Sequence, residues 1–257
     1  MSLRAVKRRV QGLLAGAGPL PEFDFSGHPD KLRAAQEAEI RAGATLAGAL
    51  PDLLQELLAM PRPPVVKVLI SLFCHADPAL RWRAVSLLGP LLAELAGRDL
   101  EAARVVMRRL MWSLNDESGG IGWGAPEAMA ECLAWHPGLA EEYAHILVSF
   151  MREDGFFLEY PPLQRGLMWA LGRLAVIQPQ LLRQKKAPEY LPSYLASPDA
   201  AVRGLAVRAL GLLQVDMAAD IMRPLQQDMA KVVFYQQEQL LLATVADLAA
   251  VAQQRPD

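Results

Sequence analysis

Four stretches decide the fold: Leu80-Arg81-Trp82-Arg83-Ala84-Val85-Ser86-Leu87-Leu88-Gly89, Gly122-Trp123-Gly124-Ala125-Pro126-Glu127-Ala128-Met129-Ala130-Glu131, Leu163-Gln164-Arg165-Gly166-Leu167-Met168-Trp169-Ala170-Leu171-Gly172 and Val202-Arg203-Gly204-Leu205-Ala206-Val207-Arg208-Ala209-Leu210-Gly211. Aligned at Arg81, Trp123, Gln164 and Arg203, they recur at spacings of 42, 41 and 39 residues, and three of the four close with glycine eight residues on. A unit of about 40 residues with two helices cannot bury its apolar face alone, so it stacks on its neighbours. Ala84, Ala128, Ala170 and Ala206 supply the small side chains that let stacked helices approach closely.

Outward from this repeat, helix-period segments cover about 31–48, 51–59, 64–75, 78–96, 99–114, 125–135, 138–152, 162–177, 187–195, 199–213, 217–229 and 236–253. Prolines 51, 64, 78, 126, 162, 188 and 198 stand at or near the helix starts, where a missing N–H costs nothing. Val232-Val233-Phe234-Tyr235 is the one strand-like run, and it reads as too short and isolated to build a sheet. The expected fold is all-α, a right-handed α-α superhelix of paired antiparallel helices. Residues 1–30 read as an N-terminal helix and an ordered Gly/Pro loop that packs Phe23 and Phe25. Residues 31–257 read as one solenoid domain of about five repeats.

Two of the units begin alike: Asp77-Pro78-Ala79-Leu80-Arg81 and Asp199-Ala200-Ala201-Val202-Arg203. This Asp-x-x-[Leu/Val]-Arg start, followed by an Ala/Leu-rich helix ending in Leu-Gly, resembles the HEAT repeat over roughly residues 60–250. The resemblance implies an Asp/Arg pair that links turns and neighbouring repeats. Physically, the aspartate caps a helix N-terminus and is expected to reach the arginine one turn on. The second unit departs most, with Trp-Gly-Ala-Pro-Glu in place of the Arg-containing start.

Composition removes other classes. Of 257 residues 53% are hydrophobic and 21% charged, which excludes a disordered chain. A net charge of −2 makes nucleic acid an improbable partner, because such binders carry a basic excess. Cys74 and Cys132 cannot build a disulfide framework or a four-ligand zinc site, and both read as small buried hydrophobes in a reducing cytoplasm. The basic start at Arg4, Lys7, Arg8 and Arg9 precedes too short an apolar run for a signal peptide and reads as one face of a capping helix. Val68 to Cys74 and Ala84 to Ala93 are far too short to span a membrane.

The most unusual stretch runs from Trp112 to Glu127, with four glycines, two tryptophans and an acidic, polar run, where a repeat unit normally spends a few polar residues. Long loops and tryptophans favour binding sites. The plainer reading has Trp112 and Trp123 staple an irregular junction while Asp116 and Glu117 cap the next turn. No Gly-Lys-Ser/Thr follows and no strand precedes it, which excludes a phosphate-cradling or dinucleotide loop. One repeat later comes Glu153 to Pro162, a second acidic, aromatic loop expected on the same edge. Trp112, Asn115, Asp116, Glu117, Trp123, Glu127, Glu159 and Tyr160 are therefore the candidate binding residues, although Phe156, Phe157 and Tyr160 are expected to fill the inter-repeat core. Glu142-x-x-His145 has the spacing of a metal-binding pair but no second copy, so it reads as a surface ion pair and no metal or cofactor is expected. The basic clusters Arg104/Arg108/Arg109 and Arg183/Lys185/Lys186 read as solvated faces.

No Ser-His-Asp arrangement is present. The expected function is a non-catalytic, cytoplasmic scaffold that binds a protein partner through the solenoid surface and loop 115–127. The alternative is an enzyme on the same fold, similar to alkylpurine DNA glycosylases, with Trp112, Asp116 and Arg109 in its site, or to bilin lyases through the repeat.

Overall fold

The computed structural model describes residues 2–115 and 122–254. Helix α1 (Leu3–Gly16) is followed by strand β1 (Glu22–Asp24), α2 (Pro29–Ala42), α3 (Leu50–Leu58) and α4 (Arg62–Leu72). The repeat proper then runs through α5 (Pro78–Arg98), α6 (Leu100–Leu114), α7 (Ala125–Trp135), α8 (Pro137–Ser149), α9 (Pro161–Ile177) and α10 (Pro179–Gln184). After α11 (Ala187–Tyr190) and a 3-10 turn come α12 (Ala200–Leu212), α13 (Ala219–Gln226), strands β2 (Lys231–Gln236) and β3 (Gln239–Thr244), and α14 (Val245–Gln253).

The architecture is an α-helical superhelical repeat fold. The four aligned stretches form α5, α7, α9 and α12, which pack one on the next and then onto α14, with α6 and α8 behind α5 and α7. Ala84, Ala128, Ala170 and Ala206 are wholly buried in this row. The closing glycine has a physical cause: a Cβ on Gly89 would lie 2.8 Å from the Glu131 carbonyl oxygen, and one on Gly211 would lie 2.5 Å from Ala252 Cα. Each glycine sets the approach of the next inner helix. Asp77 and Asp199 do cap α5 and α12, accepting from Ala79 N–H at 2.9 Å and Ala201 N–H at 3.0 Å.

The expected Asp-to-Arg contact one turn on does not form. Arg203 donates to Asp228 at 2.6 Å, and Asp199 is held by Arg165 of the preceding unit at 2.8 Å. The pairing runs between units. Burial alone would raise the Asp199 pKa, but Arg165 and the capping N–H groups hold it below the ordinary carboxylate value.

The helical fold carries a three-stranded sheet that the sequence reading excluded, in the order β1-β3-β2. Strands β2 and β3 form an antiparallel hairpin with Phe234 opposite Leu241, and β1 pairs parallel to β3 with Phe23 opposite Leu241. Residues 239–244, expected to begin a helix, are strand. The turn is made by Gln237 and Glu238 at φ 47° and 64°, the left-handed pair a two-residue hairpin needs. With neither Gly nor Asn in that turn, and with Leu-rich β3 running directly into α14, the hairpin carries no ordinary signal. Phe25 packs against the core as expected, while Phe23 is exposed and stacks on it at 6.2 Å.

Sheet and α2 cover the inner-helix row. Tyr235 stacks on Trp82 with ring centroids 4.7 Å apart, and Trp169 Nε1 donates to the Tyr235 carbonyl at 2.7 Å. Helix α2 packs on α9 and α14. Beneath them lie six of the seven buried charged side chains among the described residues; the seventh, Asp247, accepts from the Gly27 and Thr244 N–H groups. Arg208 of α12 donates to Glu39 of α2 at 2.5 Å, Arg173 of α9 donates to Glu131 of α7 at 3.0 Å, and Arg173 also stands 3.9 Å from Glu39. Arg83 of α5 meets the Glu238 carboxylate at 3.1 and 3.2 Å and donates to the carbonyls of Leu14 and Gly18. Within this group three arginines balance three glutamates. Burial opposes the charge on Arg173, and Glu131 with Glu39 outweighs it, holding its pKa above the usual guanidinium value.

Among the described residues no helix is long and apolar enough to cross a membrane.

Candidate functional site

The first turns of α5, α7, α9 and α12 end around a cavity of about 400 Å³. Its position follows from the repeat, because each unit starts its inner helix on the same edge. Phe73, Trp82, Trp123, Trp169 and Phe234 give it aromatic walls, while Arg81, Glu127 and Arg165 bring charge. Trp123 and Gly124 form the turn into α7, and residue 124 is glycine on two counts, since its φ is 70° and a Cβ there would lie 2.8 Å from Phe73 Cβ.

Glu127 sits in the first turn of α7, with its carboxyl over Gly166 of α9. A Cβ on residue 166 would lie 2.6 Å from Glu127 Oε2, so glycine is what leaves room for the carboxyl. That Oε2 is buried with no hydrogen-bond partner among the described residues. Desolvation is the dominant effect and lifts the Glu127 pKa to about 7, against the opposing field of Arg81. Arg81 is half-buried and makes no side-chain hydrogen bond or ion pair among the described residues. Arg165, by contrast, is neutralised by Asp199.

The raised pKa predicts a pH effect. The folded carboxyl binds its proton more tightly than the unfolded one, so this group favours folding below its ordinary value of 4.5, and that contribution is lost as pH rises toward 7. The loss has a ceiling of about 3 kcal/mol, reduced because the side chain is only half-buried. Glu127→Gln should flatten the decline in stability between pH 4.5 and 7 in urea titrations. An unchanged slope would place the carboxyl in water.

Of the sequence-derived residues, Trp123 and Glu127 line the cavity, and Tyr160 meets Trp123 edge-on with ring centroids 5.9 Å apart. Trp123 and Tyr160, one from each stretch, therefore lie on one edge. Tyr160 and Phe156, expected to fill the inter-repeat core, are instead exposed at 45% and 52%; only Phe157 is partly buried. Their helices end too early to cover them: α8 stops at Ser149 and α9 begins at Pro161. Glu159 is exposed. Trp112 stands on α6 at 72% exposure, away from the cavity lining, as does Arg109; Asn115 ends that helix. Asp116 and Glu117 lie outside the described residues.

Glu142 is engaged by Arg104 at 2.5 and 2.8 Å, while His145 is exposed. Among the described residues no three His, Cys, Asp or Glu side chains gather to hold a metal ion. In the basic clusters, Arg108 pairs with Glu101, Lys185 with Glu141 and Lys186 with Glu189. Arg183 departs from a solvated face by donating to the Leu213 carbonyl at 2.8 Å. Cys132 is buried, which pushes its thiol pKa up, but Cys74 is exposed at the cavity rim, contrary to expectation, because α4 ends at Leu72. Sequence reading missed Arg81 and Gly166 as cavity residues, although both lie in the aligned stretches at helix starts.

No family model matches the chain. An uncharacterized protein of Archaeoglobus fulgidus is 28% identical over 182 residues, 70% of this chain and 91% of that protein. A designed armadillo repeat protein is similar at 18% identity and a TM-score of 0.48, over 96% of this chain and 98% of that one. Computationally designed armadillo repeat proteins for modular peptide recognition are similar at 16% identity and a TM-score of 0.47, over 96% and 98% of the two chains. These likenesses say nothing of the site.

Proposed function

We propose that the protein is a non-catalytic cytoplasmic scaffold that grips a partner protein on the edge where α7 and α9 begin. The observation that carries this reading is the solvent-facing Trp123–Tyr160 pair at the cavity mouth. Exposed aromatics in edge-to-face contact are pre-ordered, so they anchor a partner at small entropic cost. The inner-helix row, which an open repeat array offers to ligands, is covered here by the chain's own α2 and hairpin. That leaves the edge. Glu159 beside Tyr160 adds negative charge and favours a partner with basic residues around an apolar anchor.

Trp123→Ala combined with Tyr160→Ala should leave the far-UV circular dichroism and melting temperature near wild type. The same change should reduce partner recovery in an affinity pull-down at least tenfold, since two central anchors are worth about 2 kcal/mol or more each. Undiminished recovery would make the pair structural.

A further inference from the structure

Behind the aromatic pair, the cavity has a chemistry of its own that a protein-binding edge does not require. Two groups of opposite sign line it with bonding capacity left over among the described residues, the Glu127 carboxyl through its unpartnered Oε2 and the Arg81 guanidinium. They are not within ion-pair distance of each other, so each is left to a third party. The other charge on the wall, Arg165, is already neutralised by Asp199, and His75 at the rim accepts the Asp77 N–H through Nδ1 at 3.1 Å. A purely cationic ligand would satisfy Glu127 but meet Arg81. A purely anionic one would satisfy Arg81 and leave the Glu127 oxygen without a donor unless that carboxyl stays protonated. A ligand carrying both a donor and an acceptor satisfies both.

Shape narrows the class. The walls are Trp82, Trp123, Trp169, Phe73 and Phe234, whose ring faces and edges suit a flat, apolar body. A volume of about 400 Å³ falls in the range of small-molecule pockets. Glycine at 166 leaves the room beside α9 that the Glu127 carboxyl occupies. We infer that the cavity is a binding site for a free, flat bipolar small molecule, an aromatic ring whose basic N–H group faces Glu127 and whose carboxylate or carbonyl faces Arg81. This function is separate from partner capture, because an ordinary protein side chain carries only one of the two charges.

The experiment uses the full chain and four probes: 3- and 4-amidinobenzoate, which carry both charges, and benzamidine and benzoate, which carry one each. Binding is followed by tryptophan fluorescence and by the Trp123 indole N–H resonance, assigned through Trp123→Phe. The better amidinobenzoate should bind at least tenfold more tightly than benzamidine or benzoate. Glu127→Gln should lower its affinity to the level of benzoate, and Arg81→Gln to that of benzamidine. Arg81→Lys, which keeps the charge, should retain most of the gain should Arg81→Gln not fold. The proposal fails if no probe shifts the Trp123 resonance, if a singly charged probe binds as tightly as the bipolar ones, or if Glu127→Gln leaves the tenfold gain in place. Partner capture is scored separately, so loss of one reading leaves the other standing.

Discussion

Glu39→Gln should destabilise the protein by about 3–5 kcal/mol, read as a lower urea midpoint with an unchanged slope. The size follows from what is left behind. Glu39 is the carboxylate of α2 against which Arg208 donates at 2.5 Å and near which Arg173 stands at 3.9 Å, and all three are buried. Glutamine keeps the volume and one acceptor but removes the charge, leaving Arg208 as an uncompensated buried cation. Arg173 retains Glu131 at 3.0 Å, so the loss concentrates on Arg208. The cause can be isolated. Glu39→Met combined with Arg208→Met removes a charge pair rather than half of one, and should cost far less than Glu39→Gln alone. A double variant at least as unstable as the single one would mean that packing of α2, not charge balance, sets the cost.

That network also shows how legible the chain was. Where apolar periodicity and capping act locally, the reading and the structure agree: α7 spans Ala125–Trp135 as expected, and α5 and α6 differ by a residue or two at their ends. The shared side of Trp123 and Tyr160 was legible too, because a fixed repeat length returns each helix start to the same side. What stayed hidden depends on contacts remote in sequence. Glu39 and Arg208 are 169 residues apart, and β1 meets β3 across the whole length of the chain. One clue was available. Arg83, Arg173 and Arg208 stand among the Ala- and Leu-rich stretches of the aligned helices, and Glu131 occupies the place of the repeat's closing glycine. A charge with no polar side to face is one that must be met from elsewhere.

The second large effect concerns the other end of the covered face. Arg83→Met should cost about 3–5 kcal/mol, because Arg83, 2% exposed, ties three separate pieces of chain together. Its Nε donates to the Glu238 carboxylate in the hairpin turn, and its Nη1 donates to the carbonyls of Leu14 at 2.8 Å and Gly18 at 2.6 Å. Methionine fills most of the space and repeats none of these bonds. Glu238 then becomes a buried anion held in a turn of left-handed residues that already store strain. The damage should therefore be local first. Amide exchange should rise in 14–20 and in the hairpin 231–244 well before it rises in α7 and α9, whose packing does not involve Arg83. Adding Glu238→Gln removes the stranded charge and should recover a large part of the loss. Uniform exchange across the inner row, with no rescue by Glu238→Gln, would instead make Arg83 a packing residue of α5 and the hairpin's seat independent of charge. The distinction reaches function, because β2 supplies Val233 and Phe234 to one wall of the cavity. A hairpin loosened at its turn should weaken capture of the bipolar probes even though Arg83 lies outside the cavity lining.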